Sequence, residues 1–422
     1  MMRTIKNIVT AIVPASVLRP ALSVYHLLLA WLGASVYGHP SRHLVLIGVT
    51  GTKGKTTVTE MLSAIFEEAG QKTALLNSIR LKVAGITRSN TGRSMPGRLF
   101  IQRFLDQAVR ANCTVAIVEM TSEGARQHRH RFLEMDALVF TNLAPEHIES
   151  HGSYAAYANA KFDIGRALAR SRKRPRIMVA NANDKESPRY LTLPVEHALP
   201  FSLSAQKPYT ADENGGYFTF EEQRVDLKLP GIFSLENALA AATAAHALGI
   251  PVEAIARALG KIERVPGRAE RIEEGQDFIV VVDYAHTPDS LQALLDAYKA
   301  RRKICILGSA GGGRDTWKRP IVGRIAEESC DHVILTNDDP YDEDPQQIIE
   351  DIAHGMTHRP EIVPDRREAI RSAFLKALPG DAVLITGKGI DPIMGPHGAK
   401  IPWNDADVAR EELKALEKKQ RI

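Results

Sequence analysis

The stretch Leu44 to Thr57, LVLIGVTGTKGKTT, constrains this chain more than any other part of it. The apolar run Leu44–Ile47 suits a buried parallel strand, and Met61, Leu62, Ile65 and Phe66 beyond it fall at helical spacing. Between them Gly48, Gly51 and Gly54 let the backbone curl so that its N–H groups converge on an anion. A strand, a glycine-rich turn and a helix N-terminus in that order predict a cradle for nucleotide phosphates, formed by Gly51, Thr52, Lys53, Gly54, Lys55, Thr56 and Thr57. Lys55 is expected to reach the β- and γ-phosphates and Thr56 to hold Mg²⁺. The general pattern has its first glycine at position 49, where this chain carries Val49. The expected nucleotide is ATP.

At 422 residues the chain exceeds what one core holds, and two or three domains are expected. A net charge of +4 gives no reason to expect nucleic acid as a partner. Cys113, Cys305 and Cys330 show neither metal nor disulfide spacing, which suits a reducing cytoplasm. The first fifty-nine residues contain no acidic side chain, only Arg3, Lys6, Arg19, Arg42, Lys53 and Lys55 as full charges. Val17, Ala21, Val24, Leu28, Trp31 and Leu32 repeat there at helical spacing, with Pro14 and Pro20 expected to break what precedes. Three arrangements are open for this basic segment: a helix packed on the body, peripheral contact of residues 1–38 with a membrane surface, or a span. The chain is expected to be cytoplasmic, membrane-associated under the second arrangement, and monomeric.

Strand patterns at Val115–Val118 and Ala137–Phe140 alternate with helical ones at Pro96–Arg110 and Tyr154–Ala169. Residues 194–229 read instead as short strands and turns, before a small-residue helix at Phe233–Leu248. Alternation resumes with strands at Ile279–Val282, Ile304–Leu307, His332–Leu335 and Ala382–Ile385. The fold class is therefore α/β, with mostly parallel sheets. The expected division is residues 1–40 as a basic helical segment, 41–265 as a central ATP-binding domain, and 266–422 as a Rossmann-like C-terminal domain.

The strand Val115–Val118 ends in Glu119, at the edge where open α/β sheets collect ligands, and Glu119 is a reasonable Mg²⁺ ligand. The run TNLAPEHIESHGSYAAYANAKFDIG, residues 141–165, sets His147 and Lys161 fourteen residues apart. Together with T-G-T-x-G-K-T-T it resembles the Mur ligases, which join an amino acid to a growing peptide at the expense of ATP. The resemblance implies a carbamylated Lys161 which, with His147, binds a second Mg²⁺, so that Lys55, Glu119, His147 and Lys161 carry the chemistry. GIFSLENALAAATAA (Gly231–Ala245), VVVDYAHTPDSL (Val280–Leu291) and LGSAGGGRDTWKRPIVG (Leu307–Gly323) match further family stretches in the same order. By that likeness Asn237, Arg268, Asp283, Tyr284 and His286 face the nucleotide.

EMTSEGARQHRHRF (Glu119–Phe132) is most similar to the branch that adds the third residue of the peptidoglycan stem peptide. The implied acceptor is a muramoyl-peptide type of molecule lined by Thr121, Ser122, Gln127 and Arg129, with Ser94-Met95-Pro96 as a second acceptor loop. TNDDPYDEDP (Thr336–Pro345) and TGKGID (Thr386–Asp391) stand where that branch binds the incoming amino acid, so Asp338, Asp339, Tyr341, Gly387 and Asp391 are expected to contact it. Five positions depart from the family. Glu146 replaces an aspartate and Ser234 an asparagine, Tyr341 stands where an arginine grips the far carboxylate of diaminopimelate, and Ile390-Asp391 replaces histidine-glutamate. Only about forty residues precede the strand at Leu44, fewer than the family's UDP-gripping domain, which opens the question of the acceptor's carrier. A folylpolyglutamate synthase-like ligase and a ligase-dead nucleotide-binding scaffold are the alternatives.

Overall fold

The structure, a computed structural model, describes residues 15–90, 94–97 and 99–420. The expectations resting on Arg3, Lys6 and Pro14 lie outside these residues.

The first sheet holds β1 (Val45–Thr50), β2 (Thr73–Leu76), β3 (Arg80–Val83), β4 (Ile86–Ser89), β5 (Val115–Glu119), β6 (Ala137–Phe140), β7 (Ile177–Asn181) and β8 (His197–Phe201). Their spatial order is β4-β3-β2-β5-β1-β6-β7-β8, parallel from β2 to β8, with β3 and β4 folded back antiparallel at one edge. Successive residues of a strand face opposite sides, so both faces of this sheet are apolar and covered. Ile47 and Val49 of β1 pack into one core and Leu46 into the other.

Helix α1 (Ala15–Val36) precedes β1, α2 (Lys55–Glu68) follows it, and α3 (Phe100–Arg110) precedes β5. Met61, Leu62, Ile65 and Phe66 of α2 are fully buried, each contributing roughly 1.5–3 kcal/mol. Helix Ile232–Ala247 packs on α2 through a face of buried alanines, whose small side chains let the two backbones approach closely. A small antiparallel sheet, β9 (Thr210–Asp212), β10 (Gly215–Phe220) and β11 (Gln223–Leu227), caps this core with Phe218 and Val225.

The second sheet is built from β12 (Glu270–Ile272), β13 (Ile279–Val282), β14 (Lys303–Leu307), β15 (His332–Leu335), β16 (Glu361–Ile362) and β17 (Ala382–Ile385), ordered β12-β13-β17-β14-β15-β16. All neighbours in it are parallel except β12 and β13. The α/β class with mostly parallel sheets is as the sequence implies.

Four local readings need correction. The helix expected from Pro96 begins at Phe100, after Pro96 and Gly97, residues that disfavour helix. Pro20 lies inside α1 instead of ending it, at the loss of one N–H bond to the preceding turn. Among the described residues no helix is long and apolar enough to cross a membrane, which removes the span. Cys305 on β14 and Cys330 after helix Arg319–Ser329 form a disulfide with Cα atoms 6.2 Å apart, contrary to the reading of three unpaired cysteines. That pairing depends on β14 and β15 lying side by side, which a spacing of 25 residues does not reveal.

Candidate active site

The parallel strands bring Thr50, Leu76, Glu119 and Phe140 to one edge, and the loops after them meet the second-sheet domain across a cavity of about 560 Å³. Its wall includes Thr52, Lys53, Gly54, Lys55, Thr56 and Thr57 of the glycine-rich turn, Glu119 and Thr121 after β5, and His147 and Asn237. From the second domain come Arg268, Asp283, Tyr284, His286 and Asp391.

Both glycines of the turn are needed where they stand. Gly51 has φ +147°, and a Cβ there would lie 2.0 Å from Thr141 Oγ1. Gly54 has φ +82°, and a Cβ there would lie 2.2 Å from Asn237 Oδ1. The turn is pinned from outside: Thr52 N–H donates to the Asn142 carbonyl oxygen at 2.8 Å and Lys53 N–H to Asn142 Oδ1 at 2.9 Å. Lys55 Nζ curls back to donate to the Thr52 carbonyl oxygen at 2.8 Å, inside the arch that would receive phosphate.

At the start of α2, Thr56 Oγ1 donates to Glu119 Oε2 at 2.9 Å, and Ser78 N–H donates to the same oxygen at 3.1 Å. Among the described residues no group of three or more His, Cys, Asp or Glu side chains is placed to hold a metal ion. A hydroxyl and a buried carboxylate nevertheless form the hard-oxygen donor set that Mg²⁺ accepts when phosphate and water complete its shell.

Lys161 is 2% exposed, and its Nζ donates to the Gly51 carbonyl oxygen at 2.5 Å. Burial, reinforced by the Lys55 charge, pushes its ammonium well below its ordinary value. A neutral buried amine is the form that adds carbon dioxide to become a carbamate. His147 starts the turn Ile148–His151 with φ +56°, and its backbone N–H donates to Asp315 Oδ2 of the second domain at 2.9 Å.

The two domains are also latched by a partly buried junction around the buried Glu146. Lys53 Nζ lies 3.1 Å from Glu146 Oε1 and 2.9 Å from His286 Nε2, and that nitrogen is 2.7 Å from Glu146 Oε1. Burial opposes ionisation of Glu146, but Lys53 and His286 outweigh it and hold its carboxyl well below the ordinary range. Burial pulls Lys53 down to about 8 and His286 to about 3, so at neutral pH the proton resides on Lys53. Nearby, Arg268 stacks 4.3 Å from the Tyr284 ring centroid, and Asp283 Oδ2 accepts the Ala269 N–H at 2.6 Å.

The expected acceptor residues form one unit beside the cavity. Arg129 donates to the Met95 carbonyl oxygen and, at 2.6 Å, to Gln127 Oε1, tying loop 94–96 to segment 121–129. Thr121 Oγ1 accepts the Gly124 N–H at 3.1 Å, and Ser122 Oγ sits 3.1 Å from His151 Nε2. Ser94 and Thr121 reach the wall.

The expected amino-acid residues divide. Asp391 lines the cavity, whereas Asp338, Asp339, Tyr341 and Gly387 stand off it. Lys388 Nζ donates to Asp339 Oδ1 at 2.6 Å and lies 3.7 Å from Asp338 Oδ1. Tyr341 has φ +53°, and its ring centroid is 4.7 Å from the Arg314 guanidinium. Sequence reasoning missed three residues: Ser78, which bonds Thr56 and Glu119, Asp315 as the hold on His147, and Glu146 as the junction's carboxylate. Ser78 follows β2 at the ligand edge, which was the one signal available for it.

Residues 49–245 match the model of the Mur ligase middle domain, and residues 267–389 that of the Mur ligase glutamate ligase domain. The UDP-N-acetylmuramoyl-L-alanyl-D-glutamate–2,6-diaminopimelate ligase of Geobacillus kaustophilus is 36% identical over 402 residues, covering 92% of this chain and 82% of the relative.

The chain belongs to the Mur ligase family.

It is an ATP-dependent ligase. The UDP-N-acetylmuramyl-tripeptide synthetase of a Roseiflexus species is similarly close, 37% identical over 429 residues, with 94% of this chain and 84% of that protein covered. Among solved structures, a UDP-N-acetylmuramoyl-L-alanyl-D-glutamate–2,6-diaminopimelate ligase superposes with a TM-score of 0.60 at 28% identity, covering 89% of this chain and 79% of that one. Folylpolyglutamate synthase of Mycobacterium tuberculosis gives a TM-score of 0.69 at 17% identity, covering 92% and 95%, which shows a shared fold.

Proposed function

We propose that this ligase joins an amino acid to the terminal carboxylate of a muramoyl-peptide acceptor through an acyl phosphate, in peptidoglycan precursor synthesis on the cytoplasmic side. The observation that carries this reading is the single cavity that faces the glycine-rich turn, Glu119 and the acceptor residue Thr121 with Asp283, His286 and Asp391 of the second domain. Carboxylate oxygen is a poor leaving group, so amide formation needs activation. The acceptor carboxylate attacks the γ-phosphorus of ATP, forming a C–O–P linkage and breaking the bond to ADP. The amine then attacks the acyl carbon, and phosphate leaves with the former carboxylate oxygen.

Lys55 and the turn's N–H groups offset the charge that gathers on the transferring phosphoryl group. Thr56 and Glu119 would hold one Mg²⁺, and His147 with a carbamylated Lys161 a second; these ions supply further charge neutralisation at the phosphates. The latch of Lys53, Glu146 and His286 keeps the second domain over the first, which excludes water able to hydrolyse an acyl phosphate. At the amino-acid end, Tyr341 cannot make the paired bonds to a carboxylate that an arginine makes, so the incoming side chain is not held in the diaminopimelate manner. Asp391 on the cavity wall offers a carboxylate to an incoming amine.

The test is phosphate release from ATP with a UDP-muramoyl-dipeptide acceptor and, in turn, lysine, diaminopimelate, ornithine and glutamate. Release that needs both the acceptor and one amino acid supports the reading and names the amino acid. Release with a folate acceptor and glutamate alone would replace it with the polyglutamylating alternative, which at present has only fold likeness behind it.

A further inference from the structure

Helix α1 lies with its bulky side outward. Ala30, Gly33 and Ala34 face the body, and a Cβ at Gly33 would come within 2.9 Å of Leu99 Cδ2, so close packing uses the small residues. Leu22, Val24, Leu28, Trp31, Leu32 and Val36 are 44–64% exposed and share one half of the helix surface, opposite the buried alanines. Leu99 and Phe100 at the start of α3 are exposed as well, beside the α1 glycine. An apolar surface of this extent on a helix that is otherwise docked through alanine and glycine calls for an occupant.

Charge identifies it. No acidic residue occurs before Glu60. Ser23 Oγ of α1 sits 2.7 Å from His128 Nε2. Arg42 and Arg172 lie close enough to His39, just past the helix, to help lower its pKa beyond the effect of burial, and Arg131 acts in the same way on His128. Of the nearby carboxylates, Glu134 is taken up by Ser171 Oγ and the Arg172 N–H at 3.3 and 2.7 Å, and Asp163, which acts on His128, pairs with Arg166 at 2.9 Å. An exposed apolar stripe on a segment without acidic residues, with arginines near the points where it meets the body, complements a bilayer surface that carries negative headgroups.

We propose that α1 docks the protein on an anionic lipid surface, its apolar stripe in the interface and the arginines against the headgroups. If the acceptor residues are those given above, the bond from Ser23 to His128, next to Gln127 and Arg129, sets the acceptor mouth beside that surface. The enzyme would then take a muramoyl-peptide acceptor held at a membrane. That second clause rests on the proposed function, whereas docking itself does not.

The experiment is flotation of the full chain with vesicles containing phosphatidylglycerol and with phosphatidylcholine alone, in parallel with sedimentation of the free protein. The expected result is flotation with the anionic vesicles, weaker by at least about tenfold on the neutral ones and in high salt. Leu28→Glu combined with Trp31→Glu should abolish it with an unchanged thermal melt, because both side chains already face solvent. Arg170→Glu combined with Arg172→Glu should weaken it on anionic vesicles only. Absence of flotation, unchanged flotation of the Leu28/Trp31 variant, or a dimer that the same variant dissociates would overturn docking, the last by assigning the face to a second copy. Flotation without ligase turnover on any muramoyl acceptor would leave docking standing and remove only the acceptor clause.

Discussion

The ligand edges of the two sheets are built differently, although both collect loops beyond parallel strands. At the first sheet the polar groups are held ready for something to arrive. Glu119 takes its bonds from a hydroxyl and an N–H, Lys55 folds back on the Thr52 carbonyl oxygen, and Lys161 is buried against the Gly51 carbonyl oxygen. At the second sheet the charges already satisfy one another. Lys388 bonds Asp339, and the buried Arg366 makes paired bonds to Asp405 at 2.7 and 2.8 Å. A site for chemistry leaves strong groups unneutralised until the substrate binds, whereas a site for recognition can vary as long as its scaffold is closed.

The comparison breaks most visibly at Lys161. Replacing it with alanine should lower turnover by about 10²–10³-fold, with partial recovery when a short carboxylic acid is added. Full activity without rescue would take the carbamate out of the account. On the second sheet, Asp405→Ala should leave Arg366 as an uncompensated buried charge and cost about 3–5 kcal/mol, read by chemical denaturation. A change of a few tenths would mean that edge is not a closed scaffold.

The latch between the two edges gives a smaller, pH-dependent effect. Glu146 has a folded-state pKa below its unfolded one, so its contribution is complete above about 4.5 and is lost as pH falls toward the lowered value. Glu146→Gln should flatten that acid limb in a stability-against-pH series; a limb of unchanged slope would assign it elsewhere. The mildest change is Tyr341→Arg. It should move preference toward diaminopimelate by on the order of tenfold in kcat/KM, while an unchanged amino-acid profile would detach Tyr341 from specificity.

What could be read from sequence follows the same division. The strands Ala137–Phe140, Ile279–Val282, His332–Leu335 and Ala382–Ile385 and the helix Tyr154–Ala169 match their patterns residue for residue, since buried strands and a capped helix are written in adjacent residues. The phosphate cradle is legible for the same reason. Pairings between distant segments were not: Glu146 with His286, Asp315 with His147, and Cys305 with Cys330 depend on how the two domains meet or how strands lie side by side. The outward side of α1 was hidden too, because an apolar repeat at helical spacing looks the same whether it faces a core or solvent.

The most direct measurement uses acceptor labelled with ¹⁸O in its terminal carboxylate, in a complete reaction with ATP and the accepted amino acid. Transfer through an acyl phosphate predicts inorganic phosphate that carries one ¹⁸O from the acceptor. Unlabelled phosphate would show that ATP is hydrolysed by water in this cavity, and would contradict the ligase mechanism assigned to it.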